Sequence, residues 1–129
     1  MLPIRAAFAS FSTDDIKAAK RFYGTKLGLE VRDSAMGMLE VMLGADQHVT
    51  IYPKPNHKPA TFTVLNFIVP DIDAAVTALR RSRIQMEHYK GLQQDAKGIA
   101  RDPQGPAIAW FKDNAGNILA VIEDSSVGE

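Results

Sequence analysis

Glu40 has the sharpest chemical potential in this chain, because alternation along Met38 to Leu43 puts it on one strand face with Met38 and Met42. A carboxylate held among thioethers keeps its proton more tightly than one in water, which suits a general base or a partner for a cationic ligand. The competing reading turns Glu40 to solvent at a sheet edge, since a one-residue slip in register exchanges the two faces. Histidines are the other candidate donors: His48 opens a strand, His57 sits in a proline-rich segment, and His88 lies in a strand of the second half. No two stand at metal-ligand spacing, so they read as solvated or locally hydrogen-bonded imidazoles. With no cysteine in the chain, disulfides, thiolate metal sites and a cysteine nucleophile are excluded.

The elements that must position these residues are organised by an internal repeat. Asp15-Ile16-Lys17-Ala18-Ala19 returns 56 residues later as Asp71-Ile72-Asp73-Ala74-Ala75, with Phe11 answered by Phe67. Two copies point to a duplicated module rather than a solenoid. In the first, a strand over Ile4 to Ser12 leads into capping residues Thr13-Asp14-Asp15. An amphipathic helix follows, with Ile16, Ala19, Phe22, Tyr23 and Leu27 at helical spacing, and Gly28 ends it. Three strands are then predicted, Leu29 to Asp33, Met38 to Leu43 and His48 to Tyr52, with turns at Met36-Gly37 and Gly44-Ala45-Asp46.

Pro53 to Pro59 holds three prolines, which donate no ladder hydrogen bonds, and reads as a linker. The pattern then restarts with a strand over Thr61 to Val69, a helix over Ile72 to Arg81 and a strand over Ile84 to Tyr89. A polar loop from Gly91 to Gly105 and two strands, Pro106 to Lys112 and Asn117 to Ile122, complete it. The expected architecture is α+β: one domain over 1–129 made of two tandem βαβββ modules, 4–52 and 61–123, joined by the linker 53–60 and ending in a frayed tail, 124–129. Each module presents a curved mixed sheet with its helix outside, and two such sheets side by side enclose a cleft.

A chain of 129 residues supports a proper core without staples. Fifteen Lys and Arg balance 15 Asp and Glu, so no overall field recruits nucleic acid or an anionic membrane. The N-terminus lacks the long apolar stretch of a secretory signal, and no apolar run approaches the ~20 residues that span a bilayer. The expectation is a cytoplasmic protein.

At Asp15-Ile16 through Phe22-Tyr23, Leu27-Gly28-Leu29, the second Asp-Ile-x-Ala-Ala, and Trp110-Phe111-Lys112-Asp113-Asn114-Ala115-Gly116-Asn117, the chain resembles the vicinal oxygen chelate superfamily over nearly its whole length. That superfamily includes glyoxalase I, extradiol dioxygenases, fosfomycin-resistance transferases and bleomycin-resistance proteins. The resemblance implies metal ligands at four positions, which here hold Phe8, Val64, Thr50 (with Tyr52 the alternative register) and Ala120. Phenylalanine, valine and alanine have no donor atom, and a threonine hydroxyl is feeble beside imidazole or carboxylate. The chain is thus similar to metal-free, bleomycin-resistance-like members, with no metal and no cofactor expected. A homodimer, sometimes exchanging modules, is also what the resemblance implies.

The inward faces expected from alternation carry Phe8, Ser10, Met38, Glu40, Met42, Thr50, Tyr52, Val64 and Asn66, with Trp110 or Phe111 from the seventh strand. Such a mostly apolar and aromatic lining with a few polar handles suits a small, partly aromatic molecule. Met residues at strand spacing more often fill a core than hold a ligand, and Tyr52 and Trp110 serve at least as readily as packing residues. Lys97 and Arg101 are candidates for a lid over an anionic ligand, or plain solvated loop charges. The leading function is metal-free small-molecule binding. One alternative is a lyase or isomerase with Glu40 as base or an unrecognised metal site, and the other is an interaction module without a small ligand.

Overall fold

The computed structural model describes residues 1–44 and 46–124. Ala45 of the expected turn, and the expected frayed tail from Ser125 onward, lie outside the described residues. Asp124, assigned to that tail by sequence, is held: its N–H donates to the Val69 carbonyl at 2.8 Å. The fold is α+β and comprises two compact units, one spanning Met1–Lys58 and one starting at Pro59.

In the first unit, β1 (Ala9–Thr13) leads into α1 (Ile16–Lys20), which continues as a π-helical segment, Arg21–Lys26. Strands β2 (Val31–Asp33), β3 (Leu39–Gly44) and β4 (Gln47–Pro53) follow. The sheet order is β1-β4-β3-β2, with β1 parallel to β4 and the other pairs antiparallel. Asp15 caps α1 by accepting from the Ala18 N–H at 3.0 Å, satisfying one orphan donor of the first turn.

A regular α-helix was expected through Leu27. Instead the Leu27 N–H reaches back five residues to the Phe22 carbonyl at 3.0 Å. This widened turn lets consecutive aromatics, Phe22 and Tyr23, both enter the core at 5 % and 0 % exposure. They pack behind the sheet with Phe11, Leu39, Val41, Val49 and Ile51. Gly28 ends the segment at φ 71°, as the sequence predicts.

In the second unit, β5 (Thr63–Val69), α2 (Ile72–Arg81), β6 (Ile108–Lys112) and β7 (Ile118–Glu123) form a sheet of order β5-β7-β6 with α2 on one face. Asp71 caps α2 through the Ala74 N–H at 3.1 Å, so the two copies of the repeated pentapeptide perform the same task. Ile72, Val76 and Leu79 are the buried stripe of α2, each removing about 1.5–3 kcal/mol worth of apolar surface from water.

The strand expected over Ile84 to Tyr89 is reduced to one bridge, between Met86 and Phe111. The Gln94 side chain takes the place of a ladder partner here. Its amide accepts from the Tyr89 N–H at 2.8 Å and donates to the carbonyls of Glu87 at 3.0 Å and Gly98 at 2.7 Å. Backbone groups that would extend the sheet are thereby satisfied locally. Among the described residues, no helix is long and apolar enough to cross a membrane.

Candidate functional site

On the first sheet, one face packs on the helix and the other is open. Cross-strand register aligns Ser10, Thr50, Glu40 and Arg32 in a row across all four strands of the open face. The flanking row brings Phe8 onto His48, with ring centroids 5.0 Å apart and planes at 25°, and pairs His48 with Met42. On the other side, Ser12 pairs with Tyr52, and alternation adds Met38. Seven of the sequence-derived candidates, Phe8, Ser10, Met38, Glu40, Met42, Thr50 and Tyr52, therefore share one surface.

Their exposures differ. Phe8 is 63 % exposed and Tyr52 37 %, whereas Thr50 is 6 % exposed beneath its neighbours. Glu40 is half-buried on β3, an interior strand, on the methionine side rather than at a sheet edge. Arg32 faces Glu40 across the ladder but donates through Nε to Glu30 at 2.6 Å. The Glu40 carboxylate instead approaches His48, with Oε1 3.9 Å from Nε2. Sequence reading placed His48 at the start of a strand but missed its place on this face; its position two residues before Thr50 on the same strand was the available signal.

On the second sheet the open face carries Val64, Asn66 and Ile68 from β5, Ile118, Ala120 and Ile122 from β7, and Ile108 and Trp110 from β6. Asn66, Ala120 and Trp110 align in one row. Trp110 is half-buried there, while Phe111, its alternative, turns to the helix side and is fully buried. Tyr89, which sequence reading passed over, meets Trp110 edge to face with centroids 5.6 Å apart. The Tyr89 hydroxyl is shielded from solvent and has no hydrogen-bond partner among the described residues. Burial, with the Glu87 charge secondary, holds its proton above the ordinary tyrosine range.

Of the two loop cations considered for a lid, Arg101 is engaged by the helix. Its guanidinium clasps Asp73 of α2, Nη2 lying 3.0 Å from both Oδ1 and Oδ2, and this hydrogen bonding raises its already high pKa further. The arginine is thus tied to the helix, on the face opposite the open one.

The residues present do not fit the metal that the fold family implies. Phe8 stacks on imidazole, Val64 and Ala120 offer only carbon, and Thr50 offers one hydroxyl. Among the described residues, no three of His, Cys, Asp and Glu gather closely enough to hold an ion. His57 lies with Nδ1 2.6 Å from Ser12 Oγ, and His88 Nε2 lies 3.3 Å from the Asp95 carbonyl, so the histidines go to three separate places.

No curated protein sequence matches the chain. Solved structures do. A member of the glyoxalase/bleomycin resistance protein/dioxygenase superfamily from Sphaerobacter thermophilus is 25 % identical, with TM-score 0.70, over 93 % of this chain and 98 % of that one. A lactoylglutathione lyase from Agrobacterium tumefaciens is 23 % identical, TM-score 0.68, over 99 % and 100 %. TnmS3, an antibiotic binding protein from a Streptomyces species, is 20 % identical, TM-score 0.68, over 96 % and 100 %. The family model for the Glyoxalase/Bleomycin resistance protein/Dioxygenase superfamily matches residues 5–121, and the chain belongs to that superfamily.

Proposed function

We propose that this protein binds a small, partly aromatic molecule on the open face of its first sheet without using a metal, as a cytoplasmic homodimer. The observation that carries the reading is the phenyl ring of Phe8, exposed and stacked on His48 where the family's metal-dependent members place a ligand. An exposed aromatic surface with Met38, Met42 and Tyr52 nearby offers stacking and thioether contacts, while Ser10, Thr50 and Glu40 orient polar groups. The antibiotic binding named for one protein of the same fold is compatible with this reading.

The test joins metal analysis to a thermal-shift panel of planar aromatic compounds. Purified from metal-replete medium, the protein is expected to hold well under one equivalent of divalent metal. At least one compound is expected to raise Tm, because a ligand that prefers the native state adds RT ln(1 + [L]/Kd) to stability. Phe8→Ala should weaken that compound about tenfold, the scale of one lost aromatic contact. Stoichiometric metal would overturn the metal-free reading, and a silent panel would overturn ligand binding.

A lyase or isomerase remains the second reading, favoured by the 3.9 Å approach of Glu40 to His48, which brings a carboxylate base and an imidazole to one face. Glu40→Gln should then abolish turnover while leaving binding of a neutral ligand in place.

A further inference from the structure

The helix-bearing side of the second unit holds a separate concavity of about 260 Å³, lined by Arg80, Ile84, Gln85, Met86, His88, Ala96 and Lys97. Two of its apolar members, Ile84 and Met86, are buried at 6 % and 7 % exposure. Three basic residues come to it from three places: Arg80 from the last turn of α2, His88 from the segment beside β6, and Lys97 from the long loop. Among the described residues, no carboxylate lines it.

The nearby acids make hydrogen bonds or ion pairs with other groups than the Arg80 and Lys97 side chains. Glu87 points to Lys112, with Oε1 3.6 Å from Nζ. Asp95 uses Oδ1 to accept from the Lys97 and Ile99 N–H groups at 2.9 Å each, which shapes the loop rather than neutralising a side chain. Among the described residues, neither Arg80 nor Lys97 has an ion-pair partner.

The backbone segments carrying Lys97 and His88 are packed together. A Cβ placed on Gly98 would lie 3.1 Å from Met86 Cβ and 3.3 Å from the Glu87 carbonyl, so the loop carrying Lys97 is packed tightly against the segment carrying His88. Its φ of 86° suits glycine. Arg80 and Arg81 in the final turn complement the helix dipole, and that accounts for positive charge on α2. It does not account for Lys97 and His88 converging on the same hollow from other segments.

We propose that this concavity binds a small organic anion, with a phosphate or carboxylate group held by Arg80 and Lys97 and its body resting on Ile84 and Met86. Arginine and lysine donate charge-assisted hydrogen bonds to such oxygens, and an apolar floor favours a ligand larger than a bare ion. The site lies on the helix side of its sheet, so it is independent of the open-face reading above.

The experiment titrates inorganic phosphate, phenyl phosphate and benzoate against the protein at constant ionic strength, following Tm and amide chemical shifts. Saturable shifts in residues 80–98 are expected, with phenyl phosphate tightest. Arg80→Gln and Lys97→Gln, both on exposed side chains, should each weaken phenyl phosphate about five- to tenfold. Arg81→Gln, adjacent on α2 but outside the concavity, should leave the affinity unchanged. Equal losses for Arg81→Gln and Arg80→Gln would show diffuse ionic attraction, and linear, non-saturating shifts would show no site; either result overturns the proposal. Benzoate matching phenyl phosphate shows a site that takes either anionic group, and phenyl phosphate alone assigns it to phosphate esters.

Discussion

Tyr89 illustrates how a single side chain departs from what its residue type promises. Its ring packs against Trp110, but its hydroxyl is shielded and unpartnered, which costs about 1–3 kcal/mol relative to a satisfied group. Tyr89→Phe is therefore expected to raise stability by about 1 kcal/mol in chemical denaturation. The pH dependence has a definite sign. Folding raises the pKa of this phenol above its ordinary value of 10.0, so the associated stability is complete below about pH 10 and is lost as pH rises through the folded value. The alkaline loss should be shallower in Tyr89→Phe, and an unchanged alkaline limb would refute the assignment. Glu40 shows the converse. Alternation along its strand offered the methionine face but left the opposite register open, and the Glu40 carboxylate approaches His48 rather than Arg32, which turns to Glu30. That choice among partners depends on side-chain directions that no spacing rule encodes.

At the level of elements, the two helices end in the same backbone conformation by different means. The first uses Gly28; the second uses Arg83 at φ 64°, with the Arg83 N–H bonded to the Arg80 carbonyl at 3.0 Å and the Ile84 N–H to the Leu79 carbonyl at 3.1 Å. This is a full Schellman closure with a non-glycine residue in the left-handed position. Arg83→Gly should accordingly stabilise the protein by about 0.5–1 kcal/mol, measured by denaturant unfolding. The loop after Glu87 depends on Gln94 instead of a ladder. Gln94→Ala strands the Tyr89 N–H and leaves the Glu87 and Gly98 carbonyls without that donor, for an expected loss of about 2–3 kcal/mol and faster amide exchange at Tyr89. Helix α2 was legible in the sequence at both ends, since Asp71 and the Ile72, Val76, Leu79 stripe are local signals. The strand over Ile84 to Tyr89 was not, because a side chain ten residues from Ile84 competes for its hydrogen bonds.

On the scale of the whole molecule, each unit pairs a helix with a mixed sheet and leaves the opposite sheet face open. Strands β1 and β5 end their sheets, and edge strands with free backbone groups favour pairing with another chain. This supports the homodimer proposed above. Light scattering is expected to return twice the chain mass of 14.1 kDa, and a monomer mass at micromolar concentration would refute it. The two proposed sites draw on different residues, one set in each unit. The open-face binder should therefore be insensitive to Arg80→Gln, and phenyl phosphate should be insensitive to Phe8→Ala.

The repeated Asp-Ile-x-Ala-Ala determined by itself where the helices start and which strands precede them, because capping and apolar periodicity act over only a few residues. It also located Phe8 and Val64, and strand alternation then named the residues sharing an open face. Tertiary structure decided the rest. It set the π-helical turn that buries Phe22 with Tyr23, the substitution of Gln94 for a strand partner, the clasp of Arg101 on Asp73, and the meeting of Arg80, His88 and Lys97 around one hollow. Each of these depends on groups distant in sequence competing for the same donors, acceptors or space, and packing in three dimensions resolves that competition.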